Sequence, residues 1–244
     1  MPTEPAKAPH SQTLSRGLRA LEILADAAGP LTIAELAGRL GVHRSIAYRI
    51  LRTLEDHFLV MRDDSGRVQG APGLAALARG VQRGLQSAAL PELTDLANSL
   101  GMCAFVAVWD PHDCITLVTV EPRHGPGGVI QQPGSRHPFD RGAPGIAIQS
   151  AHTAQEWAQR SPGEPYRPEA AAARARGYAT SRDEVIHGVS SVAAPITAPG
   201  QLPAAIAVVY ATAAHAEDQD TLGARVRSAA GAIERALGAA VTGD

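Results

Sequence analysis

The chain has one lysine, Lys7, among 22 basic residues, two cysteines, and aromatic side chains at only 4% of its 244 positions. Two cysteines cannot staple a miniprotein together, and 45% hydrophobic residues against 19% charged exclude a disordered or collagen-like chain. No run approaches the ~18 consecutive apolar residues of a membrane-spanning helix. The Pro-rich stretch Met1–His10 has neither the basic nor the apolar region of a signal peptide. A cytoplasmic protein with no membrane partner is expected. Also missing are G-x-S-x-G, H-E-x-x-H, G-x-x-x-x-G-K-[ST] and C-x-x-C. No catalytic residue, metal ligand or cofactor is therefore nominated, and a pocket that binds without reacting is favoured over an enzyme.

The length allows one large domain or two ordinary ones. A net charge of -2 announces no nucleic-acid partner. The near-exclusive use of arginine is a finer signal, because its planar fork suits phosphates, carboxylates and guanine edges. A GC-rich genome would produce the same bias. Cys103 and Cys114 fall in one expected hairpin, FVAVW, DPHD, CITLV. If Trp109 faces Cys114, Cys103 faces Val120, too far along the ladder to bridge, so both are read as reduced, structural thiols. A metal site at His112, Asp113 and Cys114 is the weaker alternative, because one turn supplies no fourth ligand.

Beyond a tail at 1–10 expected to be disordered, residues 12–28 place Leu14, Leu18, Leu21 and Leu24 or Ala25 at helical spacing. Thr32 and Glu35 form a capping box, with Leu31 and Leu36 as its hydrophobic staple, and this second helix ends at Gly41. In a third helix, His43–His57, Ile46, Ile50, Leu54 and Phe58 share a stripe flanked by Ala47 and Leu51, while Ser45, Tyr48, Arg49 and Arg52 fall on the opposite side at 100 degrees per residue. Two short strands around Asp64–Gly66 follow. Helix, helix, turn, helix, hairpin is the layout of a winged helix-turn-helix.

Between Leu36 and Leu54 stand Arg39, Arg44, Arg49 and Arg52 with no acidic residue. A merely solvated face would mix signs, so this helix, entered at His43, is read as facing DNA. Arg62 and Arg67 flank the hairpin turn, where a wing would meet phosphate or the minor groove. The proposed head at 11–72 is slightly basic and the remainder acidic, so near-neutrality conceals two opposite characters.

Residues 73–90 are expected to form a linker helix weakened by Gly80 and Gly84, either a bending element or a plain spacer, with Pro91 opening the next helix to Leu100. Residues 91–240 then alternate strands and helices: the 103–120 hairpin, a Gly- and Pro-rich loop, helices near 145–151, 153–160 and 168–176, strands near 189–197 and 204–212, and a closing helix at 218–236. Gly125, Gly127 and Gly128 precede a Val-Ile-Gln strand rather than a helix and are read as loop. The expected fold class is α+β, an antiparallel sheet flanked by helices behind the winged head.

The stretches SRGLRALEILADA with LTIAELAGRLGVHRSIAYRILRTLEDHFLV, then GSRHPFDRGAPGIA, RGYATSRDEVIHGVSSVAAPI and LPAAIAVV resemble, in that order, the IclR-type transcriptional regulators. The resemblance implies a GAF-like C-terminal domain, binding to a double-stranded DNA operator as a homodimer or tetramer, and control by a small organic effector. It places that effector against Arg141, Gly142, Ala143, Pro144 and Gly145, and against Ser181, Ser191, Ala207 and Val209. Ser181 stands where such pockets often carry an acid, Ser191 where Cys is frequent, and Ala207 and Val209 where hydroxyl residues hold a carboxylate. Burying a carboxylate without donors is costly, so an effector more apolar than a short keto acid is expected, anchored by Ser191 and loop N–H groups. Plainer roles stay open: Ser181 and Glu184 as a local capping box, Ala207 and Val209 as core, residues 142–145 as a tight turn, Asp140 and Arg141 as a loop pair. So do a filled pocket answering to a protein partner, and an enzyme or metabolite binder whose N-terminal helices serve only assembly.

Overall fold

The computed structural model describes residues 11–111, 113–124, 129, 131–214 and 218–241. The expected tail at 1–10, His112 and the glycines at 125, 127 and 128 lie outside them. The chain divides into two compact units, one ending at Val81 and the other beginning at Gln82.

In the first unit, α1 (Gln12–Ala25), α2 (Ile33–Leu40) and α3 (Arg44–Asp56) precede a wing of β1 (Val60–Arg62) and β2 (Val68–Gly70), then the short α4 (Gly73–Ala78). The Thr32–Glu35 capping box forms, with Thr32 N donating to Glu35 Oε2 at 2.7 Å and Glu35 N to Thr32 Oγ1 at 3.2 Å. Gly41 closes α2 in the left-handed conformation at φ 65°, where glycine is favoured. Leu31 and Leu36 are buried with Ala20, Ile23, Ile50, Leu51, Leu54, Val60 and Val68 in one core. Leu31 also bridges to Val68, tying the start of α2 to the wing. The expected stripes are only partly used: Leu24 is buried, whereas Leu14, Leu18, Ala25 and, past the end of α3, Phe58 are exposed.

The expected linker helix is not continuous. Residues 79–82 break it, with Gln82 left-handed at φ 47°, and α5 runs unbroken from Arg83 to Leu100. Pro91 therefore lies inside α5 rather than at its start, and Gly84 lies near the start of that helix. Proline removes a helical hydrogen bond and crowds the preceding turn. Here Pro91 sits on the exposed side, while Leu85, Ala89, Leu93, Leu96 and Ala97 are buried along the other.

The second unit is built on a six-stranded antiparallel sheet in the order β5-β4-β3-β8-β7-β6. Its strands are β3 (Cys103–Asp110), β4 (Asp113–Val120), β5 (Arg136–Pro138), β6 (Ala179–Arg182), β7 (Val189–Ile196) and β8 (Ala204–Ala211). Alternation along each strand divides the side chains between two layers. Ala104, Val106, Ile206 and Val208 pack with α5 and α9 (Gln219–Val241). Cys103, Phe105, Ala207 and Val209 pack in the layer of α6 (Gly142–Ser150), α7 (Ala154–Arg160) and α8 (Pro168–Arg176). Every residue of α6 is buried. This is an α+β architecture.

Trp109 pairs with Cys114 as expected. A register shift between Val106 and Ala107 then places Ala104, not Cys103, opposite Val120. Both cysteines are free and buried, and burial pushes the Cys114 thiol far up.

Candidate DNA-reading face and effector pocket

Helix α3 buries Ala47, Ile50, Leu51 and Leu54, which turns Arg44, Ser45, Tyr48, Arg49 and Arg52 to solvent, with Arg39 of α2 also exposed. His43 is the N-cap: its Nδ1 accepts the Ser45 amide at 3.3 Å and lies 2.9 Å from the Ser45 hydroxyl. That ring satisfies an amide that would otherwise lack a partner in the first turn. Among the described residues, Arg44, Arg49 and Arg52 form no ion pair. Their charge is uncompensated. Arg49 also borders a groove between α1 and α3.

The wing arginines are engaged within the protein. Arg62 Nε bonds Glu55 Oε1 at 2.6 Å, half-buried, and its guanidinium lies 5.8 Å from the centre of the Tyr48 ring. Arg67 donates to the Pro30 carbonyl at 3.2 Å and sits 3.5 Å from Glu35. Arg62 thus braces α3 against the wing, and Arg67 fastens the wing to the start of α2.

In the second unit, Gly142, Pro144, Ser181, Ser191 and Val209 border one cavity of about 50 Å³. Ala143, Gly145 and Ala207 are buried in the adjoining apolar layer, and Arg141 turns outward with 62% of its side chain exposed. Residues 142–145 are not a free turn but the first turn of α6, which starts three residues earlier than expected. Gly142 opens it at φ 83°, and a Cβ on Gly145 would stand 2.1 Å from the Phe139 carbonyl oxygen. Only glycine allows that approach.

The first amides of a helix lack internal partners and so form a ready site for an anion. Here they are taken. Gly142 N donates to Glu184 Oε2 at 2.9 Å, Ala143 N donates to Ser181 Oγ at 2.9 Å, and Pro144 has no N–H. Arg167 holds Glu184 in place at 2.8 Å and also bonds the Asp140 carbonyl at 2.9 Å. Ser181 and Glu184 therefore cap a distant helix rather than forming a box of their own, since Ser181 lies in β6 and no helix starts there. The Ser191 hydroxyl donates to the Val208 carbonyl at 2.9 Å. The loop amides expected to anchor a ligand are already bonded within the protein.

Sequence reasoning missed His137. It lies in β5 opposite Cys114, is 8% exposed, and lines the cavity. Its Nε2 is buried without a hydrogen-bond partner among the described residues. Burial holds its imidazole below the ordinary range, which favours the neutral ring. Nothing in its spacing marks it, because the β4–β5 pairing brings it to the cavity. Val185 and Ile186, both about half exposed, form the outer wall.

Residues 13–64 match the IclR helix-turn-helix domain, and residues 81–235 match the bacterial transcriptional regulator IclR C-terminal domain. The chain belongs to the IclR family. Like other IclR proteins it is a transcriptional regulator, not an enzyme, with a DNA-binding head and a C-terminal effector-binding domain. This IclR regulator is 29% identical to the glycerol operon regulatory protein of Streptomyces coelicolor, across 93% of this chain and 97% of that one. It is 30% identical to the glycerol operon regulatory protein of Streptomyces griseus, across 76% of this chain and 78% of that one. The fold matches the crystal structure of an IclR homologue from Microbacterium hydrocarbonoxydans complexed with 4-hydroxybenzoate, with a TM-score of 0.79 at 20% identity, covering 93% and 100% of the two chains. No helix among the described residues is long and apolar enough to cross a membrane.

Proposed function

We propose that this cytoplasmic IclR regulator acts as a homodimer or tetramer, reads a double-stranded operator with α3, and is controlled by a small organic effector in the cavity beside α6. Ser45, Tyr48, Arg49 and Arg52 face base edges or flanking phosphates, and Arg39, His43 and Arg44 position the helix on the backbone. Arg62 acts through Tyr48 and Arg67 through the wing.

The uncompensated arginines of α3 carry this reading. A head with so little net charge binds DNA weakly alone, and joining two heads raises their effective concentration on paired half-sites. Effector binding then shifts the population of head arrangements through the connecting segment. The saturated amides of α6 support an effector more apolar than a short keto acid, and the glycerol operon relatives support control of a catabolic operon.

A gel shift with duplex DNA from upstream of the protein's own gene tests the reading. Retardation is expected at a discrete sequence and lost when Arg44, Arg49 and Arg52 are replaced together by Ala. Equal retardation of unrelated DNA of the same length would count against operator recognition.

A further inference from the structure

The ligand class of this pocket follows from what its walls have left to offer, and the argument rests on reading the cavity as the effector site. Three observations converge. The first-turn amides of α6 are consumed by Glu184 and Ser181 or removed by Pro144. Glu184 is the only Asp, Glu, Lys or Arg among the described lining residues, and it is already paired with Arg167, so no lining charge is left to attract an anion. Among the described residues His137 Nε2, buried at the same cavity, has no hydrogen-bond partner. The other polar lining side chains already bond within the protein, Gln131 to Thr116, Ser190 to Thr212 and Ser191 to Val208, and the wall is apolar at Phe105, Val185 and Val209.

We propose that this pocket takes an uncharged alcohol or phenol, one hydroxyl on an apolar body, whose hydroxyl pairs with His137 Nε2. A hydroxyl both donates and accepts, so it satisfies the neutral imidazole in either tautomer, whereas a carboxylate only accepts. The apolar body lies against Phe105 and Val209. The cavity of about 50 Å³ is well below the ~150 Å³ that admits benzene in an engineered site, so entry moves the turn bearing Val185 and Ile186 outward. His137 is then the specificity-determining residue.

Calorimetric titration of the full-length protein with phenol, benzyl alcohol, benzoate and pyruvate tests this. Phenol or benzyl alcohol is expected to bind at least tenfold more tightly than benzoate or pyruvate. His137→Leu should lose at least tenfold of that affinity, and His137→Gln, which keeps a donor and an acceptor, should restore most of it, with unchanged melting of both variants checked by circular dichroism. Val209→Phe, which fills the cavity, should remove binding. Benzoate or pyruvate binding as tightly as phenol, and lost in Val209→Phe, would overturn the ligand class while leaving the pocket reading standing. Phenol binding untouched by Val209→Phe would remove the pocket reading and this inference with it. No binding of any probe, or no difference between the Leu and Gln variants, also overturns the proposal.

Discussion

The Ser181 hydroxyl caps helix α6 from 38 residues away, accepting the Ala143 amide at 2.9 Å. Glu184 completes the cap at Gly142, from 42 residues away. A strand end and the turn after it thus supply the polar groups that α6, buried along its whole length, has no solvent to provide.

Replacing Ser181 by Ala leaves the Ala143 amide without its partner and should cost about 1 kcal/mol, the usual worth of a side-chain cap. Both tryptophans, Trp109 and Trp157, lie in the second unit, so their fluorescence follows its denaturant unfolding directly. An unchanged midpoint would mean that water or a neighbour replaces the hydroxyl.

Gly145→Ala should be far more damaging, because its Cβ would meet the Phe139 carbonyl oxygen at 2.1 Å. Overpacking of this kind costs roughly 1–3 kcal/mol or more, and neither backbone segment can swing aside as a long side chain would. The second unit's fluorescence transition should move to markedly lower denaturant, whereas Gly163→Ala, which meets nothing within 4 Å, should leave it in place.

The exposed and wing arginines should differ in kind. If Arg52 makes a bidentate guanine contact, Arg52→Ala costs about 1–3 kcal/mol of binding and relaxes preference at one base pair. Arg62→Ala should weaken binding by freeing Tyr48 and Glu55 while leaving the salt dependence unchanged, because Arg62 is already paired within the protein. Fluorescence anisotropy across a salt series on matched and mutated operators separates these outcomes. A shallower salt slope in the Arg62 variant would return it to phosphate contact.

Acid should loosen the start of α2. The Glu35 carboxyl is held below the usual glutamate range, chiefly by the Thr32 amide and then by the Thr32 hydroxyl. A depressed folded-state pKa gives stability that is complete above the unfolded-state value and lost as pH falls through the folded one. The helical melting temperatures of wild type and Glu35→Ala should therefore differ at neutral pH and converge in acid. A gap that stays constant with pH would remove the carboxylate from the cap.

Contacts between near neighbours in the chain were legible from residue order alone. Thr32 with Glu35 and Thr153 with Glu156 form capping boxes three residues apart, and Trp109 meets Cys114 across one tight turn. The α3 face was equally legible, because a helix's period separates Ile50 and Leu54 from Arg49 and Arg52 without help from the rest of the fold. Continuity of α5 through Pro91 was not, since its propensity to break the helix is overridden by the burial of Leu85 and Leu93 on either side.

The amino-acid sequence by itself determined the three helices and wing of the head, the uncompensated arginines and the family, because each is written in local spacing or motif order. Only the tertiary structure decided what the pocket offers a ligand. Pairing of β5 with β4 carries His137 to the cavity, and packing of α6 against β6 spends its amides on Ser181 and Glu184. Hydrogen-bond satisfaction in a buried site depends on which groups meet in space, and residues far apart in the chain meet only once the sheet has formed.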